Sequence, residues 1–355
     1  MPGIFLRRSI AFLLLATCSA QAQHEGIKVM LLYDMEGMAG ATDYRYTTSG
    51  HTEHYAEGRK MMTADVNAAI RGLIAGGATE IMVVDGHGSG NRSGPDVIVE
   101  ELLEPAVMHY RDTPFDIYMD SYNQSIDAIV AVGMHAAAGN PIGFLAHTYT
   151  AEPVEYTVNG VPFSESMILA MGASRQKIPR VRVSGDDQLG EEVARHMPWV
   201  EYATVKTATG LGSAEALTPE ESARRIERAA RDAIRNLDDA KLPDWPGPYR
   251  FFVRYQDEAQ ARAGAMVQGA EVVRNTGIQF SADEFETGYR RSTRSISMAS
   301  DIGWTTAMES VIDELPNAEE IWLRIDERWY QRWIDPHGWL VQESESTPRQ
   351  YWGAH

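Results

Sequence analysis

Apolar residues of this chain form several short continuous runs, separated by longer segments in which apolar positions recur with a helical period. The apolar runs, which are typical of buried parallel strands, lie at 27–33, 80–85 and 128–133, and the segment at 180–184 predicts a further strand. Helical spacing is found at 57–77, where two glycines end the pattern, and at 187–196. Strands that alternate with helices favour right-handed crossovers. The pattern therefore predicts an α/β fold, with an open, mostly parallel sheet and helices on both faces.

The second half of the chain contains a predicted domain boundary. A capping box at 218–221, with proline at the first helical position, starts a charged amphipathic helix that runs to about Leu237. Three prolines then fall within 242–248, a composition typical of a linker. We therefore expect a larger α/β catalytic domain over 23–242 and a smaller α+β unit over 249–355.

Tryptophan is concentrated near the C-terminus, because six of the eight tryptophans follow residue 300. Trp322, Trp329 and Trp333 fall in a stretch with helical spacing over 318–334, which predicts a Trp-rich helical tail. Two interpretations are open. The aromatic side chains form the core stripe of a C-terminal helix, which is their commoner use, or they form an oligomer contact.

The N-terminal segment has the pattern of a secretory signal. Two arginines precede a run of seven apolar residues at 10–16, and Ala-Gln-Ala follows at 20–22. The run is too short to span a bilayer, so we expect a signal peptide over 1–22 and a periplasmic or secreted mature chain without a membrane span. The alternatives are a retained membrane anchor and a lipid anchor on Cys18.

Composition and motif searches exclude several classes of protein. The chain has 50 acidic residues against 32 lysines and arginines, a net charge of −18, which argues against nucleic-acid partners because phosphate binding needs a basic face. A single cysteine excludes a disulfide framework and a multi-cysteine zinc site. The sequence contains no H-E-x-x-H, G-x-S-x-G or Walker A motif.

Metal-binding side chains follow the first three predicted strands. They are Asp34 and Glu36 after the first strand, His87 after the second and His135 after the third. In open α/β sheets, ligands bind beyond the carboxyl ends of the strands, so these side chains should converge. Two carboxylates and two imidazoles suit zinc, and also manganese or iron, and a bridging carboxylate would give a binuclear hydrolytic centre. The alternatives are turn or capping roles for the acids and core positions for the histidines.

Six short segments, taken together in their order and spacing, identify a protein family more specifically than any one segment does. The segments are Asp-Met-Glu-Gly at 34–37, Val-Asp-Gly-His at 84–87, Gly-Met-His-Ala at 133–136, Phe-Leu-Ala-His-Thr at 144–148, Asn-Gly-Val-Pro-Phe-Ser-Glu at 159–165 and Ser-Gly-Asp-Asp at 184–187. In order and spacing they resemble the zinc-dependent D-aminopeptidases of the bacterial dipeptide-transport operon (DppA type). The resemblance covers about 27–299, and the chain beyond it has no recognised match.

The resemblance implies a role for each matching residue. Asp34 would bridge two zinc ions, and His147 would be the catalytic histidine. The other zinc ligands implied by the family are Glu36, His87, His135 and Glu165. Beside two metal ions, His147 would stabilise the oxyanion or pass a proton to the leaving amine.

The same resemblance implies a substrate and an assembly. The expected substrates are short peptides with an N-terminal D-residue, such as D-Ala-D-Ala, and a periplasmic enzyme would meet peptidoglycan fragments. The family also implies a homo-oligomer, a ring-shaped decamer. For the substrate's amine, Asp85, Asp186 and Asp187 are candidate contacts. Two other functions stay open: a metal-dependent hydrolase of L-peptides or another bond, and a non-catalytic periplasmic binding protein.

Overall fold

Two sheets and seven helices form the part of the chain that the computed structural model describes, residues 26–334 and 349–354. The strands are β1 (Ile27–Tyr33), β2 (Ala78–Asp85), β3 (Ala106–Met108), β4 (Ala128–Met134), β5 (Glu155–Val158), β6 (Val161–Pro162), β7 (Arg180–Asp186), β8 (Glu201–Gly210), β9 (Ser213–Ala216), β10 (Tyr249–Arg254), β11 (Glu271–Val273) and β12 (Gly277–Ala282). The helices are α1 (Thr52–Gly76), α2 (Glu165–Ser174), α3 (Asp187–His196), α4 (Pro219–Arg235), α5 (Glu258–Gly264), α6 (Phe285–Asp313) and α7 (Ala318–Ile334). The predicted signal peptide, Cys18 and Trp339 lie outside the described residues.

The larger sheet has seven strands in the order β3-β2-β1-β4-β7-β8-β9. Every neighbouring pair is parallel except β8 with β9. Successive side chains of β1 point to opposite faces: Val29 and Leu31 pack with α1 and α4, whereas Met30 and Leu32 pack with α2 and α3. Both faces are therefore covered by helices, which explains the continuous apolar run of β1. The predicted fold class is confirmed.

The smaller sheet has five strands in the order β11-β12-β10-β5-β6, and all of its neighbouring pairs are antiparallel. Strand β10 follows the proline-rich stretch, but it pairs with β5, which lies about ninety residues before β10 in the chain and precedes that stretch. One apolar cluster joins this sheet to α2 of the larger layer. The smaller sheet thus takes strands from both sides of the expected boundary at 242–249, and the division into two domains stays a prediction.

Helices α6 and α7 extend the chain beyond the smaller sheet. Helix α7 buries none of its side chains, and Trp304, Trp329 and Trp333 are 74%, 62% and 70% exposed. Trp304 belongs to α6, whereas Trp329, Trp333 and the half-buried Trp322 belong to α7. The interpretation of the three α7 tryptophans as a core stripe is therefore wrong, because α7 does not enter the core. Trp352, in contrast, is buried among side chains of the larger sheet and α1. Within the described ranges, no helix is both long and apolar enough to cross a membrane.

Candidate metal centre

The carboxyl ends of β1, β2 and β4 meet at one edge of the larger sheet, because β1 lies between the other two strands. Asp34, Glu36, His87 and His135 are all buried there. Asp34 lies between the two imidazoles, with Oδ1 at 3.1 Å from His87 Nδ1 and Oδ2 at 3.4 Å from His135 Nε2. One carboxylate therefore faces two separate nitrogen ligands, as a bridging ligand would.

Two further side chains complete the cluster. Glu165 is the first residue of α2 and approaches His135 Nε2 to 3.2 Å. The ring of His147 stacks on that of His135, with centroids 3.9 Å apart. Potential ligand atoms form two groups of three, each within 4.8 Å: Asp34, Glu36 and His87, and His135, His147 and Glu165. All six residues named from the sequence thus converge.

His147 differs from the other two histidines in its distance from the acids. Its Nε2 lies 4.0 Å from Glu36 Oε1 and 3.9 Å from Glu165 Oε1, whereas His87 and His135 approach carboxylate oxygens to 3.0–3.4 Å. The His147 side chain is also 20% exposed, against 8% and 1% for the others. It therefore faces the open side of the cluster, where a substrate would enter.

Glycines allow the loops after β1 and β4 to approach one another. The Gly37 N–H donates to the carbonyl of Gly133 at 2.7 Å, and Gly133 has a φ of +76°. A Cβ on Gly133 would lie 2.0 Å from the carbonyl oxygen of Asp34. Any side chain there would push Asp34 away from the histidines.

We expect Gly133→Ala to destabilise the fold by at least about 2 kcal/mol, since it adds left-handed backbone strain to a steric clash. Urea denaturation of the purified variant measures this loss. Gly212→Ala is the matched control, because a Cβ on Gly212 would meet no atom within 4 Å. Equal stabilities of the two variants would contradict this account of the loop contact.

Each imidazole of the cluster has one nitrogen held by a backbone carbonyl. The pairs are His87 Nε2 with Thr47 O at 2.7 Å, His135 Nδ1 with Ala136 O at 3.0 Å, and His147 Nδ1 with Leu145 O at 2.7 Å. A carbonyl only accepts, so in the neutral ring the proton lies on that outer nitrogen. The other nitrogen then presents a lone pair to the carboxylates, which is the arrangement of metal-ligating histidines.

The donor set fits a divalent cation. Oε2 of Glu36 and Nε2 of His135 are buried, and neither makes a hydrogen bond to any described residue. Buried polar atoms are normally paired, and a metal ion at the centre of the cluster would supply the missing partner. Oxygen and nitrogen donors in this ratio suit zinc.

Without a cation the cluster holds protons. Burial and the nearby Glu36 carboxylate raise the pKa of Asp34 to about 7. Burial alone would lower the pKa of His87 and of His135, but the adjoining carboxylates raise both well above the usual value. A cation must displace these protons to bind.

We therefore expect zinc binding to release protons. Because protons on His87, His135 and Asp34 compete with the cation, the apparent zinc affinity should fall between pH 8 and pH 6 by about 10-fold per pH unit for each proton that zinc displaces. Calorimetry of the metal-free protein in buffers of different ionisation enthalpy measures the released protons. An affinity independent of pH would contradict the protonation of the empty cluster.

Glu165 is held by groups that the sequence did not indicate. The Tyr118 hydroxyl donates to Oε2, and the backbone N–H of Tyr149 donates to Oε1 at 2.6 Å. Burial opposes the charge of Glu165, but His135, His147 and the Tyr118 hydroxyl together lower its pKa to about 2. No motif marks Tyr118, because it reaches the cluster from a loop far from the three strand ends.

The carboxylates considered for the substrate's amine are used elsewhere. Asp85 accepts hydrogen bonds from the Tyr33 hydroxyl and the His87 N–H, and Asp186 caps α3. Asp187 accepts from the N–H of Ala208. None of the three lines the cavity described next, so their predicted contact with the amine is wrong.

The cluster opens into a cavity of about 1080 Å³, called the central cavity below. Asp34, Glu36, His87, His147 and Glu165 all line it. Its other walls come from the loop at 114–118, the loop at 145–151, helix α6 and the segment at 349–354. The cavity is large enough for a short peptide, and five of the six clustered side chains line it.

Comparison with known proteins gives consistent matches. A D-aminopeptidase from Bacillus subtilis (strain 168) is 26% identical over 266 residues, which are 74% of this chain and 94% of that protein. A solved structure of the Zn-dependent D-aminopeptidase DppA from Bacillus subtilis, described as a self-compartmentalizing protease, superposes with a TM-score of 0.69 at 24% identity. It covers 77% of this chain and 98% of that chain.

A match to a protein-family model agrees with the sequence relative and with the solved structure. A family model described as D-aminopeptidase, peptidase family M55, matches residues 27–293. That range contains all of the larger sheet and the six clustered side chains. Since the match spans well over half of the chain, the chain belongs to the D-aminopeptidase family of peptidases, M55.

Proposed function

We propose that this chain is a two-zinc aminopeptidase that removes an N-terminal D-residue from short peptides such as D-Ala-D-Ala. The observation that carries the proposal is the pair of ligand groups joined by Asp34. Asp34, Glu36 and His87 would hold one ion, and Asp34, His135 and Glu165 the other. Zinc at these positions would polarise the scissile carbonyl and acidify the attacking water.

His147 would move the proton in this reaction. Its Nδ1–H is held by the Leu145 carbonyl, so Nε2 carries the lone pair that faces the central cavity. Burial and the neighbouring His135 lower the pKa of His147, which keeps the ring neutral near pH 7. Nε2 can then take a proton from the attacking water and deliver it to the leaving amine.

A hydrolase of L-peptides or of another bond would use the same cluster, so the test is a substrate comparison. The zinc-loaded chain should release D-alanine from D-Ala-D-Ala, release much less alanine from L-Ala-L-Ala, and lose activity with a chelator. Activity on the L-peptide alone would support the alternative hydrolase. A chain that binds two zinc ions but cleaves neither peptide would overturn the proposal.

We also propose that the chain forms a homo-oligomer, with a decamer as the expected size. The family relative of known structure is described as self-compartmentalizing, and α6 and α7 expose Trp304, Trp329 and Trp333. Contiguous exposed apolar side chains are typical of interaction surfaces. Light scattering of the purified protein should give a mass near ten chains, and a monomer would contradict the proposal.

The proposed location is the periplasm or the exterior of the cell. It rests on the signal-like pattern at 1–22, which the structure does not describe. N-terminal sequencing of the protein from a periplasmic fraction should begin near Gln23. An intact N-terminus in a cytoplasmic fraction would contradict it.

A further inference from the structure

The segment at 349–354, called the C-terminal segment below, is fixed beside the metal centre. Tyr351 and Arg111 exchange two backbone hydrogen bonds, of 2.7 and 2.8 Å, as an antiparallel bridge. The N–H of Asp85, at the end of β2, donates to the carbonyl of Trp352 at 3.3 Å. The Trp352 side chain is only 6% exposed. Backbone pairing and a buried aromatic ring therefore hold the segment in place.

Gly353 shows how closely this segment approaches the site. A Cβ on Gly353 would lie 1.9 Å from the carbonyl oxygen of Asp85, two residues before His87. Gly353 and Ala354 line the central cavity together with Gly86 and Gly88. The segment thus forms one wall of the cavity that contains the metal centre.

The charge of this wall differs from that of the rest of the cavity. The acids that line it are Asp34, Glu36, Asp116, Glu165 and Asp301. Among the described lining residues, Arg349 is the only lysine or arginine. Its guanidinium stacks over the ring of Tyr351, 4.9 Å from the centroid. Within 26–334 and 349–354, no carboxylate forms an ion pair with Arg349.

A short peptide carries a positive amine and a negative carboxylate. The acidic walls of the cavity suit the amine, but a carboxylate needs a cation near the other end of the peptide. A guanidinium is planar and can donate two parallel hydrogen bonds to a carboxylate, and stacking on Tyr351 restrains its orientation. Arg349 is therefore the side chain that matches this end of the substrate.

We infer that the C-terminal segment builds a subsite for the substrate's terminal carboxylate, with Arg349 as its cation; this inference rests on the function proposed above. The segment lies outside the range 27–293 that matches the family model. The subsite is thus supplied by a part of the chain beyond the family match. It would select short peptides with a free carboxylate over amides and over the interior of longer chains.

Calorimetry with two unhydrolysed ligands tests the subsite: the phosphinate analogue of D-Ala-D-Ala and its C-terminal amide. The zinc-loaded full chain should bind the acid about 10- to 100-fold more tightly than the amide, since hydrogen bonds to charged groups contribute that much. Arg349→Gln should remove the preference. Arg324→Gln, an exposed arginine on α7, is the matched control and should retain it.

A second variant tests the segment rather than the charge. Gly353→Val should displace the segment from Asp85 and also remove the preference for the acid. Equal binding of both ligands by the unmodified chain, binding of neither, or an unchanged preference in Arg349→Gln would overturn the subsite. If the chain releases D-alanine from D-Ala-D-Ala but binds both ligands equally, the proposed function stands and only the subsite is wrong. If the chain prefers the acid but releases no D-alanine, the subsite stands and only the proposed function is wrong.

Discussion

Replacing Asp34 should have the largest effect of any single substitution in this chain. The carboxylate contacts His87 Nδ1 with one oxygen and His135 Nε2 with the other, so both of the proposed metal positions would depend on it. In Asp34→Asn, the amide keeps the size of the side chain but removes its charge. We expect bound zinc to fall from two ions to at most one, and kcat to fall on the order of a thousandfold or more, since metal-ion stabilisation of the transition state contributes several kcal/mol.

Zinc analysis by mass spectrometry and the rate of D-alanine release measure these two losses. Asp43→Asn is the matched control, because Asp43 lies on the same loop after β1 but pairs with Arg45 at the surface. The control should keep both zinc ions and full activity. Two zinc ions in Asp34→Asn would show that this carboxylate does not bridge the ions.

His147→Ala should also lose activity but, unlike Asp34→Asn, should keep its zinc. Its Nε2 lies farther from the carboxylates than those of the other imidazoles, and its side chain is the most exposed of the three. We expect kcat to fall by about 10²- to 10⁴-fold, the usual contribution of a general acid–base group, with two zinc ions still bound.

The same zinc analysis separates a catalytic histidine from a ligand. Loss of one zinc ion from His147→Ala would make this residue a ligand of the second ion, together with His135 and Glu165. His196, the last residue of α3, provides the matched histidine control. His196→Ala should resemble the unmodified chain in both its zinc content and its rate of D-alanine release. The pair of Asp34 and His147 variants thus distinguishes metal binding from proton transfer.

Much of the larger sheet could be predicted from the sequence. Strand β1 and helix α3 have the predicted bounds, because a continuous apolar run and a helical period are strong local signals. Helix α1 begins at Thr52, five residues before the predicted start, since no capping side chain marks its first turn. Helix α2 was not predicted, because it is buried along nearly its whole length and so shows no polar face.

The smaller sheet and the tail show what local patterns leave out. Strand β5 precedes the linker-like stretch, yet it pairs with β10, and no local signal encodes such a pairing. The exposed tryptophans of α7 have the same helical spacing as a core stripe, so the pattern could not distinguish a core from a surface. The return of Tyr351 to the site likewise rests on contacts between distant parts of the chain, namely the bridge to Arg111 and the burial of Trp352.

The residues of the metal centre were predicted from two different kinds of evidence, the order of the strands and the family resemblance. The residues after β1, β2 and β4 could be named from the topology alone, because adjacent parallel strands bring their ends together. Glu165 and His147 came only from the family resemblance, since a glutamate at a helix start normally just complements the dipole. The family is confirmed, and all six side chains converge. Their individual roles stay predictions.

A zinc titration of the metal-free protein tests the central claim most directly. The release of D-alanine from D-Ala-D-Ala is followed as zinc is added in fractions of one equivalent per chain. If both groups of ligands form one catalytic centre joined by Asp34, activity should rise and reach its plateau at two equivalents. A plateau at one equivalent, or full activity in the metal-free protein, would contradict the two-zinc centre.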